Sequence, residues 1–153
     1  MQKLILKSAD SNASRIIAAK IGSQLKGGEV IELRSDVGGG KTTFTKGLAA
    51  GMGSNDEVRS PSFALKHEYK SEKLVLHHFD FYRLTDPGIM KNMLHEALLD
   101  DKAVIVIEWA DIVKDILPDV KLTILLKAIS ENEREIYIEF SDELMYLIKD
   151  LTS

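Results

Sequence analysis

Residues 35–42 have the residue types and the spacing of a phosphate-binding loop. They read Ser-Asp-Val-Gly-Gly-Gly-Lys-Thr, whereas the pattern G-x-x-x-x-G-K-[ST] has glycine at the first position. In such a loop, backbone N–H groups surround the phosphates of a nucleotide, the lysine reaches the β- and γ-phosphates, and the hydroxyl holds Mg²⁺. The pattern therefore predicts a nucleotide site to which Lys41 and Thr42 contribute their side chains.

The segments on either side of the loop support this interpretation. Residues 30–33 form a β-rich run, and Phe44, Leu48 and Met52 recur at the spacing of one helical face. We therefore expect a strand, the loop and a helix, whose N-terminus adds the positive end of its dipole. Because the chain normally turns sharply at the first loop position, we expect Ser35 to adopt that turn with some strain or to open the loop slightly.

Two acidic residues lie where strands are predicted to end. Asp80 lies near the end of the run 74–81, and Glu108 directly follows the apolar run 103–107. Open α/β sheets place their ligands at the carboxyl ends of the strands, and Mg²⁺ takes oxygen ligands while it keeps several waters. Either acid could ligate Mg²⁺ or orient an attacking water, and the residues alone do not divide these roles.

Two neighbours of these acids allow more than one interpretation. His78 shares a strand face with Asp80, but two such ligands are too few for a transition-metal site. Trp109 follows Glu108 and is either a core or rim aromatic residue or a side chain that packs against the site.

The hydrophobic patterns predict a single domain, residues 1–153, with an α/β, P-loop NTPase-like fold. We expect a mixed sheet of about seven strands with helices on both faces, in which strands 30–33 and 103–107 are central and parallel. Strands 63–69 and 74–81 should form one hairpin and strands 120–128 and 134–140 another, with residues 3–7 at an edge. Helices are expected at 11–26, from the loop to about 52, at 87–99 with Pro87 first, and from 141 or 142 onward.

Composition narrows the class of protein. The chain has 153 residues, of which 44% are hydrophobic, and a net charge of −4, which does not indicate a protein that coats nucleic acid. It has no cysteine, so disulfides and thiol catalysis are excluded. The N-terminal apolar run is too short for a signal peptide, and no run approaches a membrane span. We therefore expect a cytoplasmic protein without a membrane partner.

Several motifs together resemble the TsaE (YjeE) family, the small P-loop ATPases of bacterial tRNA threonylcarbamoyladenosine synthesis. The resemblance covers essentially the whole chain, and its landmarks follow in order: SDVGGGKTTFTKGL, VRSPSFALKHEY, HHFDFYRL, VIEWAD, ILPD and EREIYIEF. The sequence departs from the family's usual residues at Ser35 for glycine, at Gly39 for alanine and at Ser62 for threonine, which keeps a hydroxyl.

The resemblance implies roles for individual residues. Lys41, Asp80 and Glu108 would be catalytic, Thr42 would ligate Mg²⁺ together with the two acids, and residues 60–62 would form a switch-like segment facing the γ-phosphate. The implied contacts to ATP are Ser11, Asp36, Val37, Gly38, Gly39, Gly40, Lys41, Thr42, Thr43, Ser62, Trp109 and Arg134.

The resemblance also implies cofactors and partners. ATP would be the substrate and Mg²⁺ the metal. In the family, carbamoyl transfer belongs to a TsaB–TsaD complex, and the ATPase cycle is thought to reset that complex between turnovers. The tRNA would therefore be contacted indirectly, which agrees with the absence of a basic stripe in this sequence.

Two other classes of function remain open at this point. A small-molecule P-loop kinase usually closes an arginine-rich lid over the transferred phosphate, whereas the arginines here are dispersed: Arg15, Arg34, Arg59, Arg83 and Arg134. The other class is a regulatory module that binds nucleotide without useful turnover. Phosphorylation of an acceptor would identify the kinase, and hydrolysis that rises with the partner complex would identify the enzyme.

Overall fold

The computed structural model describes residues 1–35, 40–56, 66–82 and 84–151. Strands β1 to β7 are Gln2–Ser8, Val30–Arg34, Lys66–Lys70, Val75–Asp80, Ala103–Glu108, Leu122–Ala128 and Arg134–Phe140. Helices α1 to α3 are Ser11–Gly22, Lys41–Met52 and Ile89–Leu98, and two 3₁₀ helices span Ala110–Ile116 and Asp142–Leu151.

The strands form one mixed sheet in the order β1-β7-β6-β2-β5-β4-β3. Strand β2 is parallel to both β5 and β6, and β5 is parallel to β4. Strands β3 and β4 form an antiparallel hairpin, as do β6 and β7, and β1 completes an edge against β7. The mixed sheet, the two hairpins and the central positions of β2 and β5 confirm the predicted fold class.

Helices cover both faces of the sheet, and each face has its own hydrophobic core. One core joins the sheet to α1, α2 and the 3₁₀ helix Asp142–Leu151. The other joins β4 and β5 to α3 and the 3₁₀ helix Ala110–Ile116. Every residue of β5 is buried, because a parallel strand covered on both faces has no side that meets water. This confirms the expected helices on both faces.

Two predicted helix boundaries differ from the structure. Helix α1 ends at Gly22 and not near Lys26, because the chain turns after it and the Glu29 carboxylate accepts the N–H groups of Lys26 and Gly27. Helix α3 begins at Ile89 and not at Pro87. The start of the predicted strand 63–69 lies outside the described residues, and its described part belongs to β3.

The late helix and the segment after β5 were also incompletely predicted. The late segment is a 3₁₀ helix that buries Leu144, Leu147 and Ile148, whereas the pattern predicted one face of Leu144, Ile148 and Leu151. Ala110–Ile116 was not predicted as a helix. In the part of the chain that the structure describes, no helix combines the length and the apolar character needed to cross a membrane.

Candidate functional site

The strand register brings the two predicted acids together. Asp80 and Glu108 are direct partners in the parallel pair of β4 and β5, and Leu33 of β2 is the partner of Glu108 on its other side. Helix α2 starts at Lys41, shortly after β2 ends. The carboxyl ends of three neighbouring strands and the N-terminus of one helix therefore meet at one edge of the sheet, where α/β proteins bind ligands.

Lys41 lies across this edge and faces Glu108. Its Nζ is 3.7 Å from Glu108 Oε1, and the two side chains are 12% and 6% exposed. The same Nζ donates a hydrogen bond of 3.3 Å to the carbonyl of Ser35 and lies 5.6 Å from the ring centre of Trp109. A shielded ammonium group next to a carboxylate is a strong local charge that an anionic ligand could engage.

The start of α2 offers backbone donors beside this ammonium group. Gly40 precedes the helix with φ 104° and has no side chain that could accept the first N–H groups. Free N–H groups and the helix dipole make such a terminus favourable for anions. Thr42 and Thr43 lie half-buried in the first turn. The chemistry of this set, an ammonium group, backbone donors and a hydroxyl, fits the phosphates of a nucleotide.

The two oxygens of Glu108 have different partners. Oε2 lies 2.5 Å from Nε2 of His78, whose side chain is fully buried, while Oε1 faces Lys41. Nδ1 of His78 has no hydrogen-bond partner within the described residues. His78 therefore contacts Glu108, whereas its sequence pattern suggested only a possible metal ligand.

Asp80 is half-buried and accepts a hydrogen bond of 2.9 Å from the N–H of Tyr82. Burial raises the pKa of its carboxyl above the usual range, and the charge of Glu108 adds to that rise, although the Tyr82 N–H opposes it. A divalent cation would relieve the repulsion between the two adjacent carboxylates. Asp80, Glu108 and Thr42 thus carry oxygen atoms of the kind that Mg²⁺ prefers, and their role as its ligands stays a prediction.

The described residues contain no group of three or more His, Cys, Asp or Glu side chains that could hold a metal ion. Mg²⁺ is usually bound by one or two carboxylates together with water and substrate phosphates. The residues present therefore fit Mg²⁺ carried by a nucleotide.

Trp109 is a rim residue of this site. Its side chain is 44% exposed, and its ring centre lies 4.9 Å from that of Tyr82. Its backbone is left-handed, with φ 57° and ψ 53°, which costs a residue with a side chain about 1–2 kcal/mol. This conformation turns the chain sharply after Glu108, and it leaves the indole between Tyr82 and Lys41. Sequence patterns gave no signal of it.

Ser35 does not show the expected backbone strain. Of the non-glycine residues within the described ranges, Trp109 alone has a positive φ, so Ser35 does not need the left-handed conformation that favours glycine. The alternative in which Ser35 adopts a strained turn was therefore wrong, and the other, a slightly opened loop, concerns residues outside the described ones. The loop residues Asp36, Val37, Gly38 and Gly39, and the predicted contact Ser62, lie outside the described residues.

A second group of predicted contacts lines a neighbouring cavity. Ser11, Gly40, Thr43 and Arg134 are among the residues that line it. Nη1 of Arg134 donates to backbone carbonyls of the β6–β7 turn, including that of Ser130 at 3.0 Å. The structure thus brings these four implied ATP contacts together around one cavity, and their role stays a prediction.

The fold and the arrangement of strand ends define an α/β protein of the P-loop NTPase-like class. A sequence model of the family described as "Threonylcarbamoyl adenosine biosynthesis protein TsaE" matches residues 8–136. The chain therefore belongs to the TsaE family.

Individual relatives agree with this assignment. The chain is 35% identical over 136 residues to "tRNA threonylcarbamoyladenosine biosynthesis protein TsaE" of Bacillus subtilis, covering 89% of this chain and 85% of the relative. It is 36% identical over 118 residues to the protein of the same name from Treponema pallidum, covering 77% and 87%. The crystal structure of YdiB from Bacillus subtilis superimposes with a TM-score of 0.79 at 30% identity, covering 99% of this chain and 95% of that one.

Proposed function

We propose that this chain binds ATP with Mg²⁺ and hydrolyses it during tRNA N6-threonylcarbamoyladenosine synthesis. Membership of the TsaE family supports the pathway, because relatives at 35% and 36% identity are named for it. The observation that supports hydrolysis is the opposition of Lys41, at the start of α2, and Glu108, at the end of β5, across 3.7 Å. This pair sets a phosphate-binding cation next to a carboxylate that can orient water.

Each residue has a role in this proposal. Lys41 and the N–H groups of α2 bind the phosphates and neutralise the charge that develops on the transferred group. The hydroxyl of Thr42 and the carboxylate of Asp80 hold Mg²⁺, which when bound neutralises phosphate oxygens. Glu108 orients the attacking water. Asp80 and Glu108 are adjacent in the sheet, so both can reach the same phosphate.

The proposed partner is a TsaB–TsaD-type transferase complex, which the hydrolysis cycle resets between turnovers. The net charge of −4 supports contact with tRNA through that complex and not through a basic surface of this chain. Such a role places the chain in the cytoplasm with its tRNA.

The test compares binding and hydrolysis in matched variants. The wild type should release phosphate from ATP with Mg²⁺ and not with EDTA. In Glu108→Gln, we expect turnover to fall about 100-fold, as for loss of a general base, while ATP affinity changes less than about threefold. Trp109, the single tryptophan, reports binding by its fluorescence. Glu96→Gln, on the exposed side of α3, is the control and should match the wild type.

The alternatives give different results in the same assays. A kinase would consume ATP in proportion to a phosphorylated acceptor and not to free phosphate. A regulatory module would bind ATP with no turnover even when the transferase complex is added. Proportional loss of binding and hydrolysis in Glu108→Gln would assign Glu108 a structural role.

A further inference from the structure

We propose that His78 is a positioning residue, which holds Glu108 in the orientation that hydrolysis requires. This inference rests on the proposed hydrolysis, and it extends that proposal to a residue that does not touch the nucleotide. The contact that supports it is the 2.5 Å approach of His78 Nε2 to Glu108 Oε2, between two adjacent strands. Both side chains are buried, with exposed fractions of 0% and 6%.

The protonation of His78 follows from its two ring nitrogens. A carboxylate can only accept hydrogen bonds, so Nε2 must carry the proton that joins it to Glu108. Nδ1 has no hydrogen-bond partner in the described part of the chain, so a second proton there would be a buried donor without an acceptor. A proton on Nε2 therefore satisfies the contact to Glu108 at the lowest cost.

Burying a histidine whose Nδ1 has no hydrogen-bond partner costs free energy of folding, so we expect an interaction of its other ring nitrogen. Leucine of similar volume would avoid the cost of the unpartnered Nδ1. At this position, that interaction is the hydrogen bond from Nε2 to Glu108. On the opposite face of β4, His77 Nδ1 also has no hydrogen-bond partner within the described residues and lies 4.0 Å from Glu68, at the border of the hydrophobic core and away from Glu108.

The contact becomes more important when a nucleotide binds. In the structure, Glu108 Oε1 faces Lys41 and Oε2 faces His78. Phosphates would draw the ammonium group of Lys41 away from Glu108. His78 would then be the contact that fixes the carboxylate, with Oε1 left free to orient the water.

The first measurement separates kcat from KM in three variants. His78→Leu removes the donor, and we expect kcat to fall about 10- to 100-fold, as for other supporting residues, with KM for ATP within about threefold. His78→Gln places an amide N–H where Nε2 was, and it should recover kcat to within about fivefold of the wild type. His77→Leu is the matched control on the other face, and it should keep both constants.

The second measurement needs no activity. A crystal structure of His78→Leu with Mg²⁺ and a non-hydrolysable ATP analogue, whose phosphates draw Lys41 away, should show the Glu108 carboxylate turned from its position in the wild-type complex, and one of His78→Gln should show it in place. ¹⁵N NMR of the wild type should find the His78 proton on Nε2.

The outcomes separate the two proposals. If the wild type releases no phosphate, the proposed hydrolysis fails, while the Glu108 orientation in His78→Leu still decides whether His78 positions it. If Glu108 stays in place in His78→Leu, or kcat is unchanged, the positioning role is overturned. Equal losses in His78→Leu and His78→Gln would also overturn it, because the donor would then not matter.

Discussion

At the scale of single residues, the candidate site combines one ammonium group with two carboxylates, and a phosphate with a divalent cation would complement these charges. Lys41 and Glu108 form an ion pair that is mostly shielded from water, and Asp80 lies beside Glu108 with a raised pKa because it is partly buried. Pairs of this kind are costly to bury unless they are well matched. A bound phosphate would neutralise the ammonium group of Lys41. A divalent cation would neutralise the carboxylates of Asp80 and Glu108.

Lys41→Ala tests the cation in this arrangement. We expect ATP affinity to fall at least about tenfold, because a charge-assisted hydrogen bond is worth about 1.5–3 kcal/mol. Isothermal titration calorimetry measures the ATP affinity. Lys46→Ala, on the exposed side of α2, is the control. Unchanged affinity in Lys41→Ala would contradict the assignment of the loop.

Ser35→Gly tests the departure at the first loop position. The backbone of Ser35 is not left-handed, and its carbonyl, which glycine keeps, is the group that accepts from Lys41. We expect equal or tighter ATP binding, and a free energy of unfolding lower by about 0.5–1 kcal/mol because glycine is more flexible in the unfolded chain. A clear loss of affinity would show that the serine hydroxyl contributes to binding.

His77 predicts a pH dependence of stability. Burial, followed by repulsion from Lys66, lowers the pKa of His77 in the folded chain below its usual 6.5. As the pH falls below about 6.5, the unfolded chain binds a proton before the folded chain does, so stability decreases until the pH reaches the pKa of His77 in the folded chain. Above about pH 6.5, His77 does not affect stability.

The variant His77→Leu should lose this part of the pH dependence. Urea unfolding between about pH 5 and 8 measures the free energy of unfolding of both proteins. Their difference should change with pH below about 6.5, by no more than about 1.4 kcal/mol per pH unit for one proton. A difference that stays constant across this range would contradict the lowered pKa.

At the scale of elements, the position of α2 depends on its packing against α1. A Cβ built on Gly51 would lie 2.1 Å from the carbonyl oxygen of Ala19, and one on Gly47 would lie 2.5 Å from that of Arg15. A Cβ atom does not approach a non-bonded atom this closely. The close approach of α1 and α2 therefore requires glycine at both positions. Since α2 carries Lys41 at its start, this packing also fixes the site.

Gly51→Ala should therefore destabilise the protein although it improves helix propensity. Propensity alone predicts a gain of about 1 kcal/mol, whereas overpacking against backbone costs about 1–3 kcal/mol. We expect a net loss in the free energy of unfolding, measured by urea denaturation. Ala50→Gly, at the exposed neighbouring position, should lose only about 1 kcal/mol through propensity. A stability gain in Gly51→Ala would contradict the close packing.

The elements that could be predicted from sequence are those with a simple period. The continuous apolar run of β5 and the alternation of β7 identify buried and half-buried strands. The 3₁₀ helix Ala110–Ile116 gives no such pattern, because it is short and starts from the left-handed Trp109. The end of α1 at Gly22 depends on contact with α2 and on the buried Glu29, which are tertiary effects.

At the scale of the whole molecule, the parallel centre of the sheet forms the site. Asp80 and Glu108 are 28 positions apart in sequence and are register partners, and that proximity could be predicted because parallel strands end at one edge. The contact between His78 and Glu108 could not, since it depends on the exact register of β4 and β5 and on side-chain rotamers. The tautomer of His78 depends in turn on that contact.

In the proposed function, hydrolysis by this chain sustains repeated turnover of a tRNA-modifying transferase. The most direct measurement is reconstitution with a TsaB–TsaD-type complex, ATP, Mg²⁺, tRNA and the threonylcarbamoyl donor, in which modified tRNA is counted per transferase. We predict several products per transferase with the wild-type chain, and about one without it or with Glu108→Gln. Equal multiple-turnover yields with the wild type, with Glu108→Gln and without the chain would contradict the claim.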